Sequence, residues 1–281
     1  MKTSHKIIFA KIAYKFVSLT RSLLGKTNIT RVKRMGINWK LDISEGIDFS
    51  IYLLGGFEIK TLRMYKNIIR EGHTVLDIGA NIGAHTFPLA HLVGRTGKVI
   101  AFEPTNFAFQ KLQENIKLNP KLSNRIISRQ SILCHKNDAP IAPSVFSSWP
   151  LDSNGKDLHP KHKGYLKSTQ GTKAETLDEA VNCLRLSKID FIKIDVDGNE
   201  QKVLEGGRKT LEKYRPTIMM EFAPYLTSEQ EFRYIVSLFV KLNYTFYNAS
   251  NMKKVTSDWS ILKTMIHDGA SINVLLKNSH S

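Results

Sequence analysis

Val75-Leu76-Asp77-Ile78-Gly79-Ala80-Asn81-Ile82-Gly83 joins a short apolar run to a glycine-containing turn, and the pattern of a helix follows from about Ala84 to Leu92. A buried strand that runs into such a turn is where a ligand can approach backbone. Gly79 and Gly83 carry no Cβ, which predicts a sharp turn whose N–H and C=O groups stay open. A nicotinamide site uses G-x-G-x-x-G to seat pyrophosphate on a helix N-terminus. Here the spacing is G-x-N-x-G, and Asp77 stands two residues ahead of the first glycine, where it would repel phosphate. S-adenosylmethionine (SAM) has no phosphate. Its ammonium suits Asp77, its carboxylate suits the turn amides, and Glu103, twenty residues past Gly83, suits the ribose hydroxyls. The alternative is that Asp77 and Glu103 merely cap strand ends, but buried acids are costly unless partnered or functional.

The same alternation continues outward. Strand patterns at Thr74 to Ile78, Lys98 to Phe102, Asp190 to Ile194 and Thr217 to Glu221, with a weaker one near Ile126 to Ser131, alternate with helical patterns near 84–92, 107–118 and 201–213. That order predicts a parallel sheet with right-handed crossovers. Thr176 to Glu179 and Ser228 to Glu231 read as helix caps, the second opening a helix to about Leu242. Tyr244 to Tyr247 and Ile272 to Leu276 are two further strand candidates. Residues 135–175 gather Pro, Ser, His, Lys and Gly without sustained period, which predicts a loop insertion. Ahead of the alternation lie a small hairpin within 29–54 and a helix from about Phe57 to Arg70.

The 281 residues carry a net charge of +16, and ten of the 41 Lys and Arg fall within residues 1–41, which hold no acid. A basic arm of this kind meets anionic lipid, an acidic glycan or nucleic acid equally well. Residues 5–24 read as an amphipathic helix with Ile8, Ile12, Phe16, Leu19 and Leu23 at helical spacing, against Lys11, Lys15, Ser18 and Ser22. Three roles fit it: docking on the body, lying on a membrane surface, or a transit segment. Two cysteines, Cys134 and Cys183, form no C-x-x-C pair and suit a reducing compartment. No apolar run reaches the roughly eighteen residues of a membrane span. The expectation is a soluble, cytoplasmic protein, with or without peripheral membrane contact. The chain divides into an extension, 1–56, and one domain, 57–281.

With these residues in hand, the chain resembles the FkbM family of SAM-dependent methyltransferases from about Trp39 to Pro224. The carrying segments are Ile51 to Glu58, Leu76 to Gly83, Ala101-Phe102-Glu103-Pro104, Phe191 to Glu200, and Met220-Glu221. The resemblance implies an α/β fold of the class I methyltransferase (Rossmann-like) type: a doubly wound, mostly parallel seven-stranded sheet with a reversed last strand, here preceded by the helix and hairpin extension. It also implies SAM as methyl donor and an oxygen acceptor on a sugar, lipid or polyketide. Asp197 departs from the pattern, standing where many relatives carry glutamate.

The expected cofactor-binding residues are therefore Asp77, Gly79, Asn81, Gly83, Glu103 and Ser131. In such a fold the turn after Asp77 and the segment Asp195 to Glu200 face one crevice. An acceptor alcohol must lose its proton as it is methylated, so Glu200, Asp195 and Glu221 are the candidate bases. Glu200 has a second reading, at the positive end of the helix that starts there, and Asp195 as a loop-holding acid. Asp195, Asp197 and Glu200 also offer oxygen to magnesium, although three acids near a loop are not a coordination geometry, and no metal is expected. His159-x-x-His162 is too little for zinc. Trp149, His159 and His162 in the insertion are the substrate-binding candidates, suited to a sugar face. The leading expectation is an O-methyltransferase of a saccharide, glycolipid or related lipid-linked acceptor. RNA methylation, suggested by the charge, lacks a recognisable RNA-binding module, and a non-catalytic SAM-binding scaffold is the third reading.

Overall fold

A computed structural model of the chain describes the backbone of residues 3–147, 149–152, 164–267 and 269–278, with side chains from residue 9 onward. Seven strands, numbered here in chain order, make the central sheet: β1 Thr74–Ile78, β2 Lys98–Phe102, β3 Ile126–Arg129, β4 Phe191–Ile194, β5 Thr217–Phe222, β6 Tyr244–Asn248 and β7 Ile272–Asn278. Their spatial order is β3-β2-β1-β4-β5-β7-β6. Neighbours from β3 to β5 pair in parallel, and β7 runs antiparallel to both β5 and β6. The expected doubly wound sheet with one reversed strand is present.

Every residue of β1 and β4 is buried, because helices cover both faces and leave a parallel sheet no wet side. One apolar layer joins Ile78, Ile100, Ile192 and Met220 to the helices after β3, β4 and β5. The other joins Val75, Val99 and Phe191 to the helices at 59–68, 86–92 and 106–117. The extension shares this second core: Trp39, Leu41 and Ile51 belong to it. The hairpin Ile29–Arg34/Ile37–Asp42 is also bonded to helix Asn106–Lys117 through Lys40 N to Asn115 Oδ1, 2.8 Å.

Three local expectations are corrected. Residues 46–54, read as part of a hairpin region, form a helix, Gly46–Leu54. The helix expected over 201–213 is two, Glu200–Gly206 and Arg208–Tyr214. They part where Gly206 passes so close to the Cys134 carbonyl that a Cβ would collide with it. The 135–175 insertion carries strands of its own. Ser144–Phe146 pairs with Leu166–Ser168, and Lys173–Glu175 pairs in parallel with Ser131–Leu133, contacts too distant in sequence for any local pattern to signal. Helix Trp259–Met265 is an addition.

The N-terminal helix, Thr3–Leu23, docks by an unexpected face. Tyr14 is buried, and Ala10, Ala13 and Val17 pack with it against Phe49 and Leu151. Ile12, Phe16, Leu19 and Leu23, the stripe that periodicity would bury, face solvent.

Candidate active site

The C-terminal ends of β2, β1 and β4 lie side by side, with Phe102 opposite Ile78 and Ile78 opposite Ile194. Glu103, the Gly79 turn and Asp195 therefore emerge together, at the switch point where chain direction away from β1 reverses. They line a cavity of about 1980 Å³ that also reaches the insertion, β5 and the N-terminal helix. A pocket for one drug-sized molecule measures roughly 300–1,000 Å³, so this one has room for a cofactor and an acceptor.

The turn's amides are bonded within the protein rather than open. Gly79 and Ala80 N–H both donate to the Phe102 carbonyl (3.0 and 2.9 Å), Gly83 N–H to Ala80 O (2.9 Å), and Asn81 N–H to Glu103 Oε2 (2.9 Å). No turn amide among these is left for a ligand carboxylate, a correction to the expectation above. The glycines serve packing instead. Gly79 (φ 82°) lies so near the Asp195 carbonyl that a Cβ would overlap it, and a Cβ on Gly83 (φ 96°) would strike Phe87 and Leu112. Asn81 (φ 49°) takes a left-handed conformation and reaches Ser147 Oγ of the insertion at 3.4 Å.

Asp77 is corrected in position. It is fully buried and does not line the cavity. Its Oδ2 accepts from Thr86 Oγ1 at 2.6 Å, fastening the following helix, and its Oδ1 lies 3.7 Å from Lys193 Nζ. Register explains the pair: Lys193 of β4 stands opposite Asp77 of β1. Lys193 Nζ donates to Gly79 O (3.1 Å) and pairs with Asp195 Oδ2 (3.2 Å). Burial alone would lower the lysine's pKa, but Asp195 and Asp77 outweigh it and hold the ammonium above its ordinary range. Sequence reasoning passed over Lys193. Its signal was a cation inside an otherwise apolar run, Phe191-Ile192-Lys193-Ile194, which a buried strand tolerates only with partners.

Glu103 does line the cavity. Its Oε1 accepts from Thr105 N (2.9 Å) and Thr105 Oγ1 (2.5 Å), and its Oε2 from Asn81 N. Burial raises its pKa despite these bonds. Ser131 is buried at the cavity wall with no hydrogen-bond partner for its Oγ among the described residues. A buried hydroxyl without a partner is an anomaly that a ligand would resolve. Ser131→Ala is expected to weaken SAM binding by about three- to tenfold, one neutral hydrogen bond, with no loss of thermal stability. Calorimetric titration beside a melting curve checks both.

The acidic candidates separate. Asp195 and Glu221 line the cavity, whereas Glu200 does not. Glu200 is turned back onto its own loop, where Oε1 accepts from Gly198 N (3.2 Å) and Val196 N (3.3 Å). The acid that joins Asp195 and Asp197 is Glu221, and the three bring carboxylate oxygens within 4.8 Å of one another. These are the described residues able to offer hard oxygen ligands to a divalent cation. Proton uptake relieves the same repulsion: burial first, then the charges of Asp195, Asp197 and Glu58, push Glu221 well above the carboxylate range. Glu221 Oε1 meanwhile accepts from Ser271 Oγ at 2.5 Å.

His85 was also missed. The residue lines the cavity; its Nδ1 shares a hydrogen bond with Tyr65 OH (3.0 Å), and its buried Nε2 has no hydrogen-bond partner among the described residues and lies 3.8 Å from Glu58 Oε2. Burial and the Lys193 charge keep the ring neutral. On the insertion side, Trp149 covers Gly46 and lines the cavity, and Lys167 Nζ bonds Glu45 (3.1 Å) while lying 3.8 Å from the centre of the Phe107 ring. His159 and His162 lie outside the described residues.

The residues present fit SAM: a cavity of sufficient size, an acid at the end of β2, and an unpartnered hydroxyl at Ser131. Comparison with known proteins agrees. Residues 77–246, more than half of the chain, match the methyltransferase FkbM domain. The chain is similar to the hexuronic acid methyltransferase AglP of Haloferax volcanii, 29% identical over 163 residues that cover 56% of this chain and 62% of that one. The match thus spans less than two thirds of that relative. Among solved structures, a methyltransferase FkbM from Methylobacillus flagellatus is 17% identical with a TM-score of 0.48, covering 79% of this chain and 48% of the other. The M. jannaschii TYW2 structure with AdoMet is 19% identical with a TM-score of 0.44, covering 89% and 85%. The chain belongs to the FkbM methyltransferase family.

Proposed function

We propose that the protein methylates a hydroxyl of a saccharide, free or lipid-linked. The observation that carries this reading is Glu221: a half-buried carboxylate of raised proton affinity in the wall of the cavity that Glu103 and the Gly79 turn share. When bound, SAM supplies an electrophilic methyl group on a sulfonium. An alcohol oxygen that takes it must give up its proton, and Glu221, at the cavity wall with its proton affinity raised by burial, is the proposed acceptor of that proton. Asp195, paired with Lys193 at 3.2 Å, stands beside Glu221. Trp149 and Phe57 offer apolar surface along the cavity of the kind that packs on sugar rings. Glu103 and Ser131 would hold the donor's nucleoside.

The relative's activity on a hexuronic acid supports a sugar acceptor. An acidic sugar would have to turn its carboxylate away from Asp195, Asp197 and Glu221 and toward cations of the cavity lining such as Lys11 and Lys60. The same acidic floor speaks against RNA, whose phosphates would meet it.

The test is transfer of labelled methyl from SAM to paired glycosides of a neutral hexose and a hexuronic acid, followed by alkali. An alkali-stable product on either is the expected ether. An alkali-labile product is a carboxyl ester and would remove the hydroxyl assignment. No transfer to either glycoside, by protein that binds SAM, would remove the saccharide.

A further inference from the structure

The N-terminal helix carries two apolar faces, and the body uses only one. Ala10, Ala13, Tyr14 and Val17 seat it on Phe49 and Leu151. On the far side Phe9, Ile12, Phe16, Leu19 and Leu23 recur every three or four residues and form one continuous stripe, with Phe16 70% and Leu23 79% exposed. Leu53 and Leu54, at the end of helix Gly46–Leu54, are exposed as well. Single exposed leucines need no explanation, but a contiguous stripe of large apolar side chains marks a contact surface.

The charge around the stripe says what covers it. Lys15 on the same helix and Lys26 just past its end are exposed, and the first 41 residues hold ten bases and no acid. Aromatic and aliphatic side chains on one face, bordered by lysine and without acids, are the pattern of a helix lying in the interface of an anionic bilayer. No helix among the described residues is long and apolar enough to cross a membrane, so contact would be with the surface.

We infer that the stripe Phe9, Ile12, Phe16, Leu19 and Leu23, with its flanking lysines, is a docking surface for an anionic lipid bilayer. The helix also ties this surface to the cavity, whose outer wall includes Phe9, Ala10, Lys11 and Ala13 of its first turns together with Leu53 and Leu54. Docking by the stripe brings that end of the cavity to the lipid. For an acceptor borne on a lipid, a consequence that rests on the reading of the preceding subsection, the sugar would then be offered at the cavity mouth. The docking itself does not depend on that reading.

The full-length protein is expected to sediment with vesicles of phosphatidylcholine and phosphatidylglycerol, and much less with phosphatidylcholine alone. Phe16→Ser/Leu19→Ser removes two exposed side chains that do not line the cavity, and it should lower vesicle binding about tenfold or more. Lys15→Glu/Lys26→Glu should lower it by a similar factor, since each base near an anionic surface is worth about fivefold. Both variants should bind SAM as the wild type does, which separates lost docking from lost folding. Failure of the wild type to sediment with anionic vesicles, or equal sedimentation with both vesicle types, would overturn the proposal. So would a concentration-dependent dimer that Phe16→Ser/Leu19→Ser makes monomeric, because a second copy would then be what covers the stripe.

Discussion

Glu103→Ala is expected to raise the Kd for SAM about a hundredfold, within the range of a charged hydrogen bond to the ligand and the loss of turn geometry. A carboxylate offers about four lone-pair positions, and three protein donors already use Glu103: Asn81 N, Thr105 N and Thr105 Oγ1. One position on Oε2 remains for a ribose hydroxyl. The second hydroxyl can bond only if Thr105 Oγ1 turns away, so the same side chain both shapes the loop and binds. Alanine removes both functions. Glu103→Gln keeps the shape and one acceptor but must present an NH₂ to one of those donors, so it should fall between alanine and wild type. Calorimetric titration, with circular dichroism to show that the variants fold, decides the matter. Unchanged affinity in folded Glu103→Ala would mean that Glu103 only fastens the turn to the loop after β2.

How far the sequence reveals this site depends on which physical rule each residue obeys. Strands β1, β2 and β4 are legible because strands covered on both faces read as mainly apolar runs, and the caps at Thr176 and Ser228 form as their spacing predicts. Glycines were legible as necessary but not for the right reason. They clear the Asp195 carbonyl and the Phe87 ring rather than a ligand, a matter of which chain segment passes behind. Glu200 and Glu221 could not be ranked without the fold, since a carboxylate's role turns on whether it points into the cavity or back at its own loop amides. The N-terminal helix is the clearest case. Periodicity finds the helix, but it assigns the largest apolar side chains to the interior. The seat formed by Phe49, Leu151 and Ile43 instead takes the small and aromatic face, Ala10, Ala13 and Tyr14. Lys193 is legible only as an exception, a buried cation whose partners in register, Asp77 and the neighbouring Asp195, lie far away in sequence or across the strand end.

Glu221→Gln is expected to reduce methyl transfer by about 10²- to 10⁴-fold, the usual contribution of a general base, while SAM affinity stays unchanged because the substitution keeps the side chain's size and touches none of the residues assigned to the cofactor. Its pH signature follows from the same burial. Glu221 titrates well above its ordinary 4.5, so wild-type kcat/KM should rise with pH as the carboxylate loses its proton through that raised pKa, and fall on the acid side. The stability effect has the opposite sense. Between 4.5 and the raised value the folded chain holds a proton that the unfolded chain has released, so stability falls as pH increases through this window. Glutamine has no proton to lose there. The variant should therefore melt higher than wild type at neutral pH, and its melting temperature should depend less on pH. Activity lost together with stability gained would identify Glu221 as a charge kept near Asp195 and Asp197 for chemistry. A variant that transfers methyl at the wild-type rate would move the base to Asp195 or to the neutral imidazole of His85, a residue that also lines the cavity.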